Sequence, residues 1–213
     1  MLVAHRDWLE TQVRRAVKRV LKKHMQADHN RQPPYATIRK ALIKELDPIL
    51  NKITGNVARD EVRRFGTASD RSWRPEPNNR AELLADDLIQ VSKRRWSEMK
   101  KPRKRAEVLK WRKQNLGDSR AISIAATEVT LAINRGKGAA FGYLGSRGVL
   151  MGRIWRTRRD QCELCRPMKN QPSAVWSRFY PMGPPSPHVR CRCELEQIPM
   201  AVYQMAQAAI RDR

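Results

Sequence analysis

Five side chains able to bind soft metals lie between positions 162 and 193. Cys162 and Cys165 form a C-x2-C pair, and His188, Cys191 and Cys193 follow as H-x2-C-x-C. They include every cysteine of the chain and one of its four histidines. Pro167, Pro172, Pro181, Pro184, Pro185 and Pro187 fall in the same stretch, which has little regular period. Such a segment buries little by itself, so whatever fold forms here needs a cross-link between its two ends.

Three kinds of cross-link or chemistry compete. A C-x2-C pair at a turn joined by a second pair from a distant loop completes a tetrahedral Zn²⁺ site, and four of the five ligands suffice. Cys162, Cys165 and His188 are the leading ligands, with Cys191 and Cys193 contesting the fourth place. A disulfide is disfavoured, because the N-terminus "MLVAHRDWLETQVRR" lacks the continuous apolar core of an export signal. Catalysis is disfavoured because a zinc deaminase would carry H-x-E before its cysteines, and no Glu stands two residues after His188. Thiol catalysis would want a thioredoxin-like strand and helix around C-x2-C, which Arg166-Pro167 does not supply. The expectation is a structural zinc site, with Trp155, Trp176 and Phe179 as its apolar shell.

Charge narrows the partners. The chain has 213 residues, with Lys+Arg 44 against Asp+Glu 21, formally +23. So large a bias points to a polyanion, most simply nucleic acid; the bland alternative is a solvated basic surface. Residues 1–116 hold 29 basic and 14 acidic side chains, and residues 117–213 hold 15 and 7. The densest stretch, "SKRRWSEMKKPRKRAEVLKWRKQ", makes Lys93, Arg94, Arg95, Lys100, Lys101, Arg103, Lys104 and Arg105 candidate contacts to a DNA backbone. Such contacts neutralise phosphates without reading sequence. Trp96 and Trp111 in that stretch favour helix packing over base stacking. No apolar run is long enough to span a membrane, so no membrane partner is expected.

Hydrophobic spacing predicts a mainly α chain with a small C-terminal α+β zinc-knuckle domain. Residues 1–65 read as a basic helical region, with an apolar stripe through Leu9, Val13, Val17, Val20, Leu21 and His24. Its second helix runs through Ile38, Leu42, Leu46, Ile49 and Leu50, with Pro48 a kink or end. A short helix then leads to Gly66. Residues 66–79 read as a linker or extended arm. Residues 80–116 read as two more basic helices, split near Pro102, and residues 117–213 as the α+β domain. Within it a helix begins at Asp118 or Ser119 and stops at Gly136. The Gly-rich run "GKGAAFGYLGSRG" suggests turns between short strands, "VLMGRIW" a strand, and "PMAVYQMAQAAIR" a terminal helix.

The order of motifs also resembles a known family. "ATEVTLAINRG", "IWRTRRDQCELCRPM" and "PPSPHVRCRCEL" follow one another across about residues 118–198. This is similar to the phage head-morphogenesis family, the minor head proteins related to the F protein of phage Mu. Its pattern has T-E in a helix, W-x-T-x2-D before C-x2-C, and P-P-x-H-x2-C-R-C near the end. The matching residues are Thr127, Glu128, Trp155, Thr157, Asp160, Cys162, Cys165, Pro184, Pro185, His188, Cys191, Arg192 and Cys193. Two features depart from it: no Gly follows the first Cys pair closely, and Pro187 is an extra residue before His188. The resemblance implies a non-enzymatic virion protein beside portal or major capsid protein and packaged DNA, in the capsid interior, made in the host cytoplasm. It could act there as an oligomer. A zinc-ribbon DNA-binding regulator or nuclease accessory protein is the alternative. Glu128 and Asp160 have no catalytic role in either; helix and turn hydrogen bonding accounts for them.

Overall fold

A computed structural model describes residues 2–25, 33–99, 104–157, 163–181, 183–184 and 190–211. The described chain is mainly helical, with one small sheet near its C-terminus. Its elements are α1 (Leu2–Met25), α2 (Tyr35–Phe65), α3 (Arg80–Ser97), α4 (Arg105–Leu116), α5 (Asp118–Ser146), β1 (Met151–Arg156), α6 (Ser173–Trp176), β2 (Glu194–Pro199) and α7 (Met200–Arg211). None of the described helices is long and apolar enough to cross a membrane.

Two compact units form, and both are discontinuous in sequence. One takes residues 1–51 and 77–125, the other residues 52–76 and 126–213. This differs from the linear division that composition suggests, because α2 and α5 each contribute residues to both units.

In the first unit, α1 buries Val13, Ala16, Val17, Val20 and Leu21, exposes Arg14, Arg15, Lys18, Arg19, Lys22 and Lys23, and buries Arg6, whose Nε donates to Glu10 at 3.1 Å. His24 lies outside the residues whose side chains are described. Arg39 of α2 grips Asp86 of α3 through two bonds, Nε to Oδ1 at 2.5 Å and Nη2 to Oδ2 at 3.0 Å. Trp96 and Trp111 are buried and meet edge to face, ring centroids 5.1 Å apart. Both tryptophans pack helices, as expected, and are not surfaces for bases.

Of the expected kink or end at Pro48, the end does not occur: α2 runs from Tyr35 to Phe65, 31 residues, with Pro48 inside it. Proline removes the bond to the carbonyl four residues back and costs about 3 kcal/mol inside a helix. Pro48 and Lys44 are both exposed, so water can satisfy that carbonyl. The buried stripe continues from Leu46 and Leu50 to Ile53 and Val57. Burying each such side chain contributes about 1.5–3 kcal/mol, which outweighs the proline.

The second unit corrects two more expectations. Residues 66–79 are not a free arm. A 3-10 turn spans Ala68–Ser72, and Asp70 inside it is 2% exposed. Its Oδ2 accepts from Thr67 N–H and Thr67 Oγ1, and its Oδ1 from Tyr143 Oη, each at 2.8 Å. The Thr67 backbone bond, then Tyr143, hold the Asp70 carboxyl below its ordinary pKa. Trp73 stacks on Tyr143 with centroids 4.4 Å apart.

Nor does Gly136 stop α5, and the Gly-rich run is helix, not strands and turns. Gly136 is a contact point: a Cβ there would lie 2.5 Å from the Thr54 carbonyl oxygen and 2.8 Å from Val57 Cβ. The missing side chain lets α5 close on α2, so Ala140 and Leu144 pack with Ala58, Val62 and Met151.

β1 and β2 pair antiparallel, with Gly152 opposite Ile198 and Trp155 opposite Leu195. The expected strand at "VLMGRIW" is β1. On its other edge Trp155 N–H donates to Gln171 O and Asn170 N–H to Trp155 O. Asn170 takes φ 61°, a left-handed turn that asparagine tolerates. Tyr203 of the terminal helix α7 lies over Gly152, where a Cβ would come within 2.1 Å of the ring. Its hydroxyl meets Ser173 Oγ at 2.8 Å and the Ala174 N–H at 3.1 Å.

Two glycines of α5 separate contact from propensity. Gly136→Ala gains about 1 kcal/mol of helix propensity but meets backbone that cannot step aside, an overpacking of about 1–3 kcal/mol. Gly142→Ala meets nothing within 4 Å. In urea denaturation the first variant is expected to be destabilised by up to about 2 kcal/mol and the second stabilised by about 0.5–1 kcal/mol.

A cysteine cluster as a candidate metal centre

Cys165 sits in the turn that leads into the 3-10 segment Arg166–Met168, directly after which residues 170–172 pair along β1. Cys191 and Cys193 lie just before β2. The alternation of that segment places Cys191, Cys193, Leu195 and Gln197 inward, with Arg192, Glu194 and Glu196 less buried. The period of two therefore sends both cysteines to the same side. Their sulfurs and that of Cys165 all lie within 4.8 Å of one another, and all three residues are buried. Among the described residues this is the one group of His, Cys, Asp or Glu side chains close enough to share an ion.

The spacing suits a tetrahedral centre. Zn–S bonds of about 2.3 Å at tetrahedral angles put sulfurs about 3.8 Å apart. Cys165 Sγ and Cys191 Sγ are 3.7 Å apart, and none of the three cysteines is in a disulfide. The hydrogen bond that Cys191 makes with Cys193, and then burial, push the Cys191 thiol well above its usual pKa. With no cation present the Cys191 thiol therefore keeps its proton, whereas a divalent ion would favour the thiolate. Both Cys191 and Cys193 join Cys165, so the expected contest between them does not reduce to one. Cys162, His188 and the motif residues Asp160 and Pro185 lie outside the described residues.

The apolar shell is partly as expected. Trp155, Trp176, Met168 and Leu195 pack with the three cysteines. Trp155 and Trp176 meet edge to face at 5.8 Å, and Tyr180 tilts against Trp155 at 5.7 Å. Phe179 is 66% exposed and takes no part; Tyr180 fills the place the sequence suggested for it.

The cluster is held from one side by α5. Thr127, Thr130, Asn134 and Lys137 recur every three or four residues, so they line one face of the helix. Thr127 Oγ1 accepts from Arg190 N–H at 3.0 Å, and Thr130 Oγ1 donates to Cys191 O at 2.6 Å. Asn134 Nδ2 donates to Cys193 O and Pro184 O, both at 3.2 Å, while its Oδ1 accepts from Leu195 N–H at 2.8 Å. Lys137 Nζ reaches Glu194 at 2.9 Å, and Lys137 O accepts from Gln197 Nε2. Arg190 adopts φ 63°, a conformation that non-glycine residues rarely take, and the bond to Thr127 helps hold it there. These four residues are the positioning groups that spacing of cysteines alone does not reveal. Glu128, between them in sequence, is buried and belongs to the same helix.

The candidate DNA contacts are less uniform. Lys93, Arg94 and Arg95 are exposed on the last turns of α3, and Lys104 and Arg105 are exposed at the start of α4. Lys93 Nζ sits 5.7 Å from the Tyr35 ring centroid, Arg94 is 3.9 Å from Glu98, and Arg95 donates to Asn115 Oδ1 at 3.0 Å. Lys100, Lys101 and Arg103 lie outside the described residues.

No family model, curated protein or solved structure matches the chain.

Two substitutions test this site. Asn134→Leu removes the acceptor of the Leu195 N–H and a donor to the Cys193 carbonyl, both buried, an expected loss of about 2–4 kcal/mol in thermal denaturation; an unchanged midpoint would remove Asn134 from the account. Glu61 of α2 is 6% exposed, and desolvation raises its pKa, opposed by Lys137 and Arg64. A raised folded-state pKa contributes stability that is complete below the ordinary value of 4.5 and is lost as pH rises through the folded value. Glu61→Gln is therefore expected to be more stable than the parent at pH 7 to 8, with the difference vanishing near pH 4.

Proposed function

We propose that the chain is a phage minor head protein, a structural and assembly component whose C-terminal unit is stapled by zinc. In this reading it binds and carries out no chemistry. Zinc is held by Cys165, Cys191 and Cys193, with Cys162 or His188 as the fourth ligand. The bound ion supplies a fixed tetrahedral cross-link. The residues of α5 orient the segment that carries two of its ligands, and the tryptophans exclude water from it.

The observation that carries the reading is where the shared motif residues fall. Thr127 bonds the backbone at Arg190, Trp155 packs on the three cysteines, and Arg192 lies between two of them. Among the described residues, Thr127, Trp155, Cys165, Cys191 and Cys193 of the head-morphogenesis pattern thus meet around one cluster. The net charge of +23 supports the setting, since a protein lodged beside packaged DNA is surrounded by phosphates. Portal or major capsid protein is the protein partner this reading assigns, and DNA backbone the sequence-independent one.

Quantitative mass spectrometry of intact, nuclease-treated virions is the test. The expected result is a few copies per particle that stay with the head fraction. Absence from particles, together with sequence-selective binding to duplex DNA by the isolated chain, would instead favour a zinc-ribbon regulator. Cys165→Ser is expected to lower bound zinc and the thermal midpoint together; a variant that keeps both would refute the staple.

A further inference from the structure

We infer that the cleft between α1 and the first half of α2 is a phosphate-backbone site for double-stranded DNA. This rests on the reading of the chain as nucleic-acid-associated, and it places the principal contact away from the basic stretch at 93–105.

The first support is the division of α1. At about 100° per residue, its buried residues Val13, Ala16, Val17, Val20 and Leu21 take somewhat less than half of the helix circumference. Arg14, Arg15, Lys18, Arg19, Lys22 and Lys23 fill the other half, and all six are exposed. They span about 14 Å of helix axis. Over that length a duplex carries about eight phosphate charges.

The second support is how few of these cations are neutralised. Lys18 pairs with Asp118 at 2.8 Å and Arg19 with Glu45 at 2.6 Å. Both pairs are well exposed, the kind that contributes little and exchanges readily for a phosphate. Among the described residues Arg14, Arg15, Lys22 and Lys23 have no ion-pair partner. Lys93, Arg94 and Arg95 each already have a contact in their own unit, with Tyr35, Glu98 and Asn115 respectively.

The third is shape. Arg19, Lys22 and Lys23 face Lys44 across a concavity of ≈ 560 Å³, also lined by Val20 and Ala41, with Glu45 its single carboxylate among the described residues. A concave wall of one sign with apolar lining concentrates the field on an approaching anion. A lipid surface fits less well, because the apolar face that would enter a bilayer is already buried in the unit.

Fluorescence anisotropy with a labelled random duplex of about 20 bp, across a salt series, tests the site. Lys22→Gln/Lys23→Gln/Lys44→Gln is expected to bind more than about tenfold more weakly at 0.1 M salt. Its salt slope should be shallower by about 2.7, some 0.9 for each lost cation. Glu45→Gln, which frees Arg19, is expected to bind more tightly, a gain that misfolding would not give. Lys93→Gln/Arg94→Gln/Lys104→Gln should change the slope by less than one unit. If that variant loses binding while the α1/α2 variant keeps it, the cleft is overturned and the nucleic-acid reading stands. Failure of the parent chain to bind any duplex overturns both. Tighter binding to phosphatidylserine vesicles than to duplex overturns the assignment to DNA.

Discussion

Residues 190–197 take their conformation from hydrogen bonds to a single helix face. Thr127, Thr130, Asn134 and Lys137 of α5 meet that segment at Arg190, Cys191, Cys193, Glu194, Leu195 and Gln197. A short strand preceded by a proline-rich stretch has few ways to satisfy its buried backbone groups. The helix supplies partners on one edge, and β1 supplies them on the other. Two cysteines are thereby delivered to one place, where Cys165 arrives from the turn beyond β1. The sheet, the tryptophan pair and α7 on Gly152 all follow from that docking.

α5 can act as this support because it does not stop where glycine suggests. A glycine in mid-helix costs about 1 kcal/mol against alanine. At Gly136 that cost permits a backbone approach to Thr54 which a Cβ would forbid. The polar face then lies beside the face closely packed on α2, and Asn134 and Lys137 are buried. Fixed partners matter here, because a buried carbonyl or N–H left unbonded costs more than its bond contributes. A metal would add its cross-link to a segment already placed and would not need to order it from scratch.

Much of this was legible in the sequence, and what was hidden has identifiable causes. The apolar stripes of α1, α3 and α4 follow the helical period, and the burial of Trp96 and Trp111 agrees with it. Pro48 and Gly136 misled because local propensity loses to burial on both sides of each. The arm at 66–79 misled because its order comes from Asp70 and Trp73 meeting Tyr143, seventy residues away in sequence, which no local window sees. β2 went unread because its buried residues are Leu195, Gln197 and Ile198, an apolar pattern broken by a buried glutamine and by Glu194 and Glu196. The supporting face of α5 did leave a signal. Polar residues at 127, 130, 134 and 137 recur at helical spacing along it.

The account turns on whether one ion joins the ends of the proline-rich stretch through these sulfurs. X-ray absorption at the zinc edge, on the full chain purified without added metal, measures that directly. The prediction is one zinc per chain, with three or four sulfur neighbours at about 2.3 Å and any remaining place filled by nitrogen at about 2.0–2.1 Å. A chain without zinc, or an ion surrounded only by oxygen and nitrogen, would contradict it.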